Sequence, residues 1–357
     1  VVVWSQQNMP ALHAQPAWFG TVMGTGATST LLFIAYHQLE WQPLLWISIG
    51  LLWAATLLAF ALWPKYFRRL SQRSALADEI ADPAHGAMLA TFPAGVLVLA
   101  NAWGNAGQVS IPSNIALIIG GVLAVIGAVI ALGYSALWAS VISRVEVPLA
   151  KINGGWLIPV IMNLLVPLAL LPLITELPDQ ARMLIAVGFM FMGIGVLLFV
   201  AVFTLLIVRI ATQGSLPGPL VPSLWIPLAP AGVFGIAIVR LFQEGAVVGL
   251  FSDELVVIAE VVALMAIGFG LWWAIFAAID LHRARKVGGI PFHLGWWGMV
   301  FPVVALATSI TLMDQIFEFP TLIAIVAVSV GFGVWLFVSV KTLAAVAAER
   351  KRAASRH

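Results

Sequence analysis

Ten apolar stretches, each long enough to form a helix of about 20 residues, dictate what this chain can become. A helix of that length covers about 30 Å, the depth of bilayer hydrocarbon, and satisfies its own backbone hydrogen bonds there. The stretches lie near 17–36, 43–63, 87–103, 112–142, 155–174, 184–209, 223–243, 254–280, 293–313 and 320–346. With 62% hydrophobic against 9% charged residues, a soluble globule of this size could not hide its apolar surface. The expected fold is all-α: an integral membrane protein with ten transmembrane helices forming a single domain over residues 1–357. Connections are short apart from Lys65 to Gly86, so no soluble domain is inserted.

Short loops rich in Lys and Arg resist translocation and mark the cytoplasmic side. Of 17 such residues, 15 lie at or beyond the ends of even-numbered stretches: Lys65, Arg68, Arg69, Arg73, Arg144, Lys151, Arg209, Arg283, Arg285, Lys286, Lys341, Arg350, Lys351, Arg352 and Arg356. The others are Arg182 and Arg240. Both termini of this multi-pass cell-membrane protein are therefore expected in the cytoplasm, as an even number of crossings also requires. Basic residues confined to helix flanks, with a net charge of +2, argue against a nucleic-acid partner. The first stretch lacks the basic lead and cleavage site of a signal peptide, so the chain reads as mature or trimmed.

Proline alternates along the chain. The third, fifth, seventh and ninth stretches carry interior Pro93, Pro159 with Pro167, Pro227 with Pro230, and Pro302, whereas Pro43, Pro64, Pro112 and Pro320 lie at ends of other stretches. The first stretch has Gly20, Gly24 and Gly26 in the corresponding place. Proline kinks a helix interior by removing a donor, and freed carbonyls at membrane depth must be buried or line a cavity. Five hairpins are expected, with bent odd helices around a central pore, kinked at Pro93, Pro159, Pro230 and Pro302, and straight even helices facing lipid.

Polar groups inside the bilayer are costly and therefore candidates for function. The odd stretches supply Thr21, Thr25, Thr28, Ser29, Thr30, Thr91, Asn101, Asn163, Thr308 and Ser309, each of which could contact an anion or bond a neighbouring helix. Arg240 and Glu260 are ionisable, belong to one hairpin and lie towards its outer end. They are expected either as a stabilising charged pair or as part of the anion path, with Arg240 attracting anions and Glu260 carrying protons. Phe92, Phe234 and Phe301 fall near mid-membrane on odd helices and are candidate pore gates. No metal site or cofactor is expected, since there is no Cys and His13, His37, His85, His282, His293 and His357 show no paired spacing.

The string PAWFGTVMGTGATSTLL (16–32) resembles the opening of the tellurite-resistance and dicarboxylate transporter family. APAGVFGIAIVRL (229–241) and HLGWWGMVFPVVALATS (293–309) are similar to that family's corresponding helices. The family includes a bacterial tellurite-resistance channel protein, plant slow anion channels, fungal malate permeases and sulfite efflux pumps. The resemblance implies five hairpins around a pore in each subunit of a homotrimer, closed by a phenylalanine of the ninth helix, whose positional match here is Phe301. It further implies an anion channel or transporter for a small anion, such as a C4-dicarboxylate like malate, sulfite, nitrate or chloride. The alternative is a proton-coupled dicarboxylate or sulfite carrier with Glu260 as proton site. An intramembrane enzyme would need a catalytic constellation at depth, and none is visible.

Overall fold

The computed structural model describes residues 16–71, 79–317 and 319–355; His13, Arg73, Arg356 and His357 lie outside the described residues. The helices are α1 (Phe19–Leu39), α2 (Gln42–Leu70), α3 (Pro83–Leu89), α4 (Thr91–Ala102), α5 (Ser113–Ile142), α6 (Ile158–Glu176), α7 (Pro178–Gln213), α8 (Leu228–Val247), α9 (Asp253–Val287), α10 (Trp297–Phe317) and α11 (Thr321–Ala354). No strand occurs among the described residues. Ten spans are long and apolar enough to cross a membrane, as the sequence predicts. Local chemistry ends them: α7 stops at Gly214, where φ is +73°, a conformation that costs glycine little.

Inner helices α1, α4, α6, α8 and α10 touch one another in that order, and α10 returns to α1 to close a ring. Each outer helix, α2, α5, α7, α9 or α11, packs on the inner helix of its own hairpin and more lightly on a neighbouring inner one. Over an apolar 18-residue stretch of each span, between 72% and 89% of the residues are buried in the inner helices, against 22% to 39% in the outer ones. The division into five inner and five outer helices expected from proline alternation is what the structure has. In lipid, apolar surface alone does not drive helices together, so close van der Waals contact through small residues must. The ring seams are accordingly glycine-lined. Gly24 abuts Trp297 and Val300, Gly26 abuts Val98, and a Cβ on Gly232 would stand 2.5 Å from the Ala305 backbone.

The proline kinks need correction. Pro93, Pro159 and Pro230 are the third, second and third residues of α4, α6 and α8. In a first turn the missing N–H breaks no helical bond, so these prolines start helices instead of bending them. Pro302 and, in α6, Pro167 and Pro172 do lie inside helices. Pro64 also lies inside α2, which runs on to Leu70.

The interruptions occur ahead of the inner helices. A short element precedes each one: Pro16–Trp18, α3, Gly154–Leu157, Gly218–Trp225 and Leu294–Trp296. Neighbouring members touch all the way round and form a collar at the end of the ring where the inner helices begin.

Candidate functional site: the lumen of the inner ring

Successive helical residues turn by about 100°, so known neighbours fix which residues face the ring axis. On α1, Gly20 and Gly24 lie against α10 and Gly26 against α4. Between those directions stand Met23, Ala27 and Thr30. On α4, Gly95 meets Met23 and Val22 of α1 and Leu97 meets Gly127 of α5, and just beyond it, in the π-helical segment Trp103–Gly107, Gly104 abuts Pro172 of α6. The remaining arc holds Ala94 and Asn101. On α8, Gly232 and Gly235 meet Ala305 and Ser309 of α10, and Leu241 meets Gly188 of α7. Between them stand Ala229, Ile236 and Arg240. On α10, Trp297 and Val300 face α1 while Ser309 faces α8, which leaves Phe301 and Thr308 on the axis.

These positions form levels. Met23, Ala94 and Phe301 are the fifth, fourth and fifth residues of their helices, whereas Thr30, Asn101, Thr308 and Arg240 are the twelfth, eleventh, twelfth and thirteenth. At 1.5 Å per residue the levels are about 10 Å apart. The lumen is thus apolar near the collar and polar towards the other end. Phe301 is buried and sits in the apolar level, closer to the collar than the mid-membrane position expected of it.

The other two aromatic candidates point away from the axis. Phe92 packs in an aromatic cluster with Phe19, Trp63, Tyr66 and Phe67, its ring centre 5.2 Å from Phe19 and 5.4 Å from Phe67. Phe234 lies on the side of α8 turned towards α7 and α9. Their position in an odd stretch could not distinguish the two faces.

Most polar candidates are used in packing. Thr21 and Thr28 donate to Trp18 and Gly24 carbonyls, and Thr91 to those of Pro16 and Met88. Thr25 accepts from Trp335, Ser29 pairs with Ser48, and Asn163 donates to the Pro159 carbonyl. Ser309 is buried beside Gly235. Asn101 accepts from Asn105 Nδ2 and remains partly open.

The expected pair of Arg240 with Glu260 does not form among the described residues. Arg240 Nη2 lies 3.2 Å from Oε1 of Glu244, one turn further along α8. Glu260 sits on outer helix α9 beside its buried stripe, away from the axis. Membership of one hairpin is a weaker constraint than four-residue spacing, and that spacing was the signal for Glu244. Sequence inspection also missed Asp280, buried near the basic end of α9, which accepts from Ser215 Oγ at 2.8 Å. Buried Arg209 donates to the Gly214 carbonyl, so both residues seat the connection between α7 and α8.

At the collar, His293 Nδ1 accepts from the Gly295 N–H at 3.0 Å, leaving Nε2 to donate to the Pro219 carbonyl at 2.8 Å. The ring is therefore neutral. Burial pushes its pKa below the ordinary histidine value, partly opposed by the Pro219 bond. The unfolded chain takes up the proton first as pH falls, so this contribution to stability is complete above about pH 6.5 and lost below it. The melting temperature should drop on acidification from pH 7 to 5, and by less in His293→Gln. Equal acid-side losses in the two proteins would count against this role.

Ten membrane helices arranged with five around a graded lumen make the architecture of a membrane channel or transporter. The chain belongs to the SLAC1 family, described as voltage-dependent anion channels, which matches residues 13–343. An uncharacterised transporter of Methanocaldococcus jannaschii is 28% identical over 334 residues, covering 90% of this chain and 88% of that protein. A second transporter of the same organism is 25% identical, covering 92% and 94%. A sulfite efflux pump of Arthroderma benhamiae is 23% identical over 331 residues, covering 85% and 83%.

Proposed function

We propose that this protein conducts a small anion along the axis of its inner ring, with Phe301 as the closing residue. The graded lumen carries this proposal. Arg240 and the Asn101 amide offer donors at one end, where the Thr30 and Thr308 hydroxyls donate to the Gly26 and Val304 carbonyls and leave oxygen lone pairs open, and Met23, Ala94 and Phe301 form an apolar neck at the other. A narrow apolar neck can be shut sterically and by dewetting. Among the described residues, the levels around it contain no ring of carboxylates of the kind that selects cations. Similarity to fungal sulfite efflux pumps makes sulfite the first substrate to test, ahead of nitrate, chloride and malate. Purified protein in proteoliposomes should release loaded sulfite faster than empty vesicles do. Cation leakage without anion flux would overturn the proposal.

The basic loops further support both termini in the cytoplasm, with the collar on the same side. The chain has no cysteine, so single labels are unambiguous. Exposed Ser71 and Gln180 lie on opposite sides of this topology. Gln180→Cys should react with an impermeant thiol reagent outside intact cells, while Ser71→Cys should resist it. Labelling of Ser71→Cys would invert the assignment. A homotrimer, which the family resemblance implies, should show as a native mass three times that of the chain.

A further inference from the structure

Helix electrostatics do not account for Glu244. It lies in the last full turn of α8, which ends at Val247, where unpaired carbonyls disfavour a carboxylate. Its order relative to Arg240, cation first and anion four residues later, is the weaker orientation for such a pair. The geometry suggests another use. A guanidinium has five N–H donors in a planar fork, and the contact with Glu244 engages Nη2 at 3.2 Å. The Arg240 side chain is 40% exposed and that of Glu244 13%, so the carboxylate lies deeper. Glu244 thus holds one part of a cation that belongs to the polar level of the lumen.

We propose that Arg240 and Glu244 form a self-occluding oxyanion site at the outer mouth, in which Glu244 holds the guanidinium until a permeating oxyanion displaces it. The inference rests on the proposed anion conduction. An anion presenting two oxygens can take the fork in bidentate fashion, whereas Glu244 engages one nitrogen. Such an anion is better equipped to displace the carboxylate than a halide, which offers a single centre. The tethered carboxylate keeps the site from remaining filled: it competes with every bound anion and hastens release. Without it, the site should bind more tightly by about two- to fivefold, the range an exposed ion pair supplies.

The test uses sulfite with purified full-length protein, measuring the half-saturating concentration for flux in proteoliposomes and for thermal stabilisation in detergent. Glu244→Gln should lower both about two- to fivefold. Arg240→Gln should raise both, and the double variant should match Arg240→Gln alone, because Glu244 acts only through Arg240. A well-folded Glu244→Gln protein with unchanged half-saturation, or additive effects in the double variant, would overturn the site. Should Glu244→Gln fail to fold, Glu244→Asp, one methylene shorter, tests the same point: half-saturation should fall, and an unchanged value is fatal. Absence of anion flux in the wild type sinks the conduction proposal itself, whereas wild-type flux with an indifferent Glu244→Gln sinks the self-occluding site alone.

Discussion

Replacing Phe301 by alanine is expected to raise basal anion flux by an order of magnitude or more, because removing only about 1.4 kcal/mol of barrier gives tenfold. Phe301 stands on the arc of α10 between residues facing α1 and residues facing α8, in the apolar level of the lumen. Truncation there opens the neck and lets water in. Phe301→Leu keeps some bulk and should raise flux less. Phe92→Ala is the informative contrast, since Phe92 packs against Phe19, Tyr66 and Phe67. It should lose about 3–5 kcal/mol of stability without gaining flux. Currents and melting temperatures measured on the same preparations separate the two outcomes. A stable Phe301→Ala protein with unchanged current would remove Phe301 from the gate.

Gly232→Val should prevent assembly of a stable ring. Its Cβ would stand 2.5 Å from the Ala305 backbone, and backbone cannot rotate aside as a side chain can. Overpacking usually costs about 1–3 kcal/mol, and this substitution should reach or exceed the top of that range. Gly268→Val is the control, because nothing lies within 4 Å of a Cβ there. Size-exclusion profiles and melting temperatures should show Gly232→Val aggregated or strongly destabilised and Gly268→Val close to wild type. Similar behaviour of the two would mean that α8 and α10 do not meet as closely as described.

The architecture was legible because lipid imposes a rule that leaves few solutions: each span must be apolar and long enough, and basic loops must stay on one side. Proline alternation separated inner from outer helices correctly, although for an incomplete reason. Pro93, Pro159 and Pro230 mark where helices restart behind the collar, and apolar stretch boundaries blur a restart into a continuous helix. Side-chain direction was the harder problem. In almost wholly apolar helices there is little amphipathic contrast to set rotational phase, so pattern alone did not separate Phe92, Phe234 and Phe301, and only the family resemblance singled out Phe301. Their phase follows from glycine seams such as Gly24 with Val300 and Gly232 with Ala305, which pair residues far apart in the chain.

The seam between α1 and α10 has a consequence for synthesis. Gly20 and Gly24 are made early, but Trp297 and Val300, which cover them, emerge more than 270 residues later. A hydrogen bond from Trp335 to Thr25 at 3.1 Å ties the same region to the last hairpin, within which Trp297 donates to Thr342 at 3.0 Å. Until that hairpin enters the bilayer, the first four form an open crescent with an uncovered glycine face and no enclosed axis. A nascent or truncated chain ending before residue 297 therefore lacks the α10 side of the ring and leaves Gly20 and Gly24 uncovered.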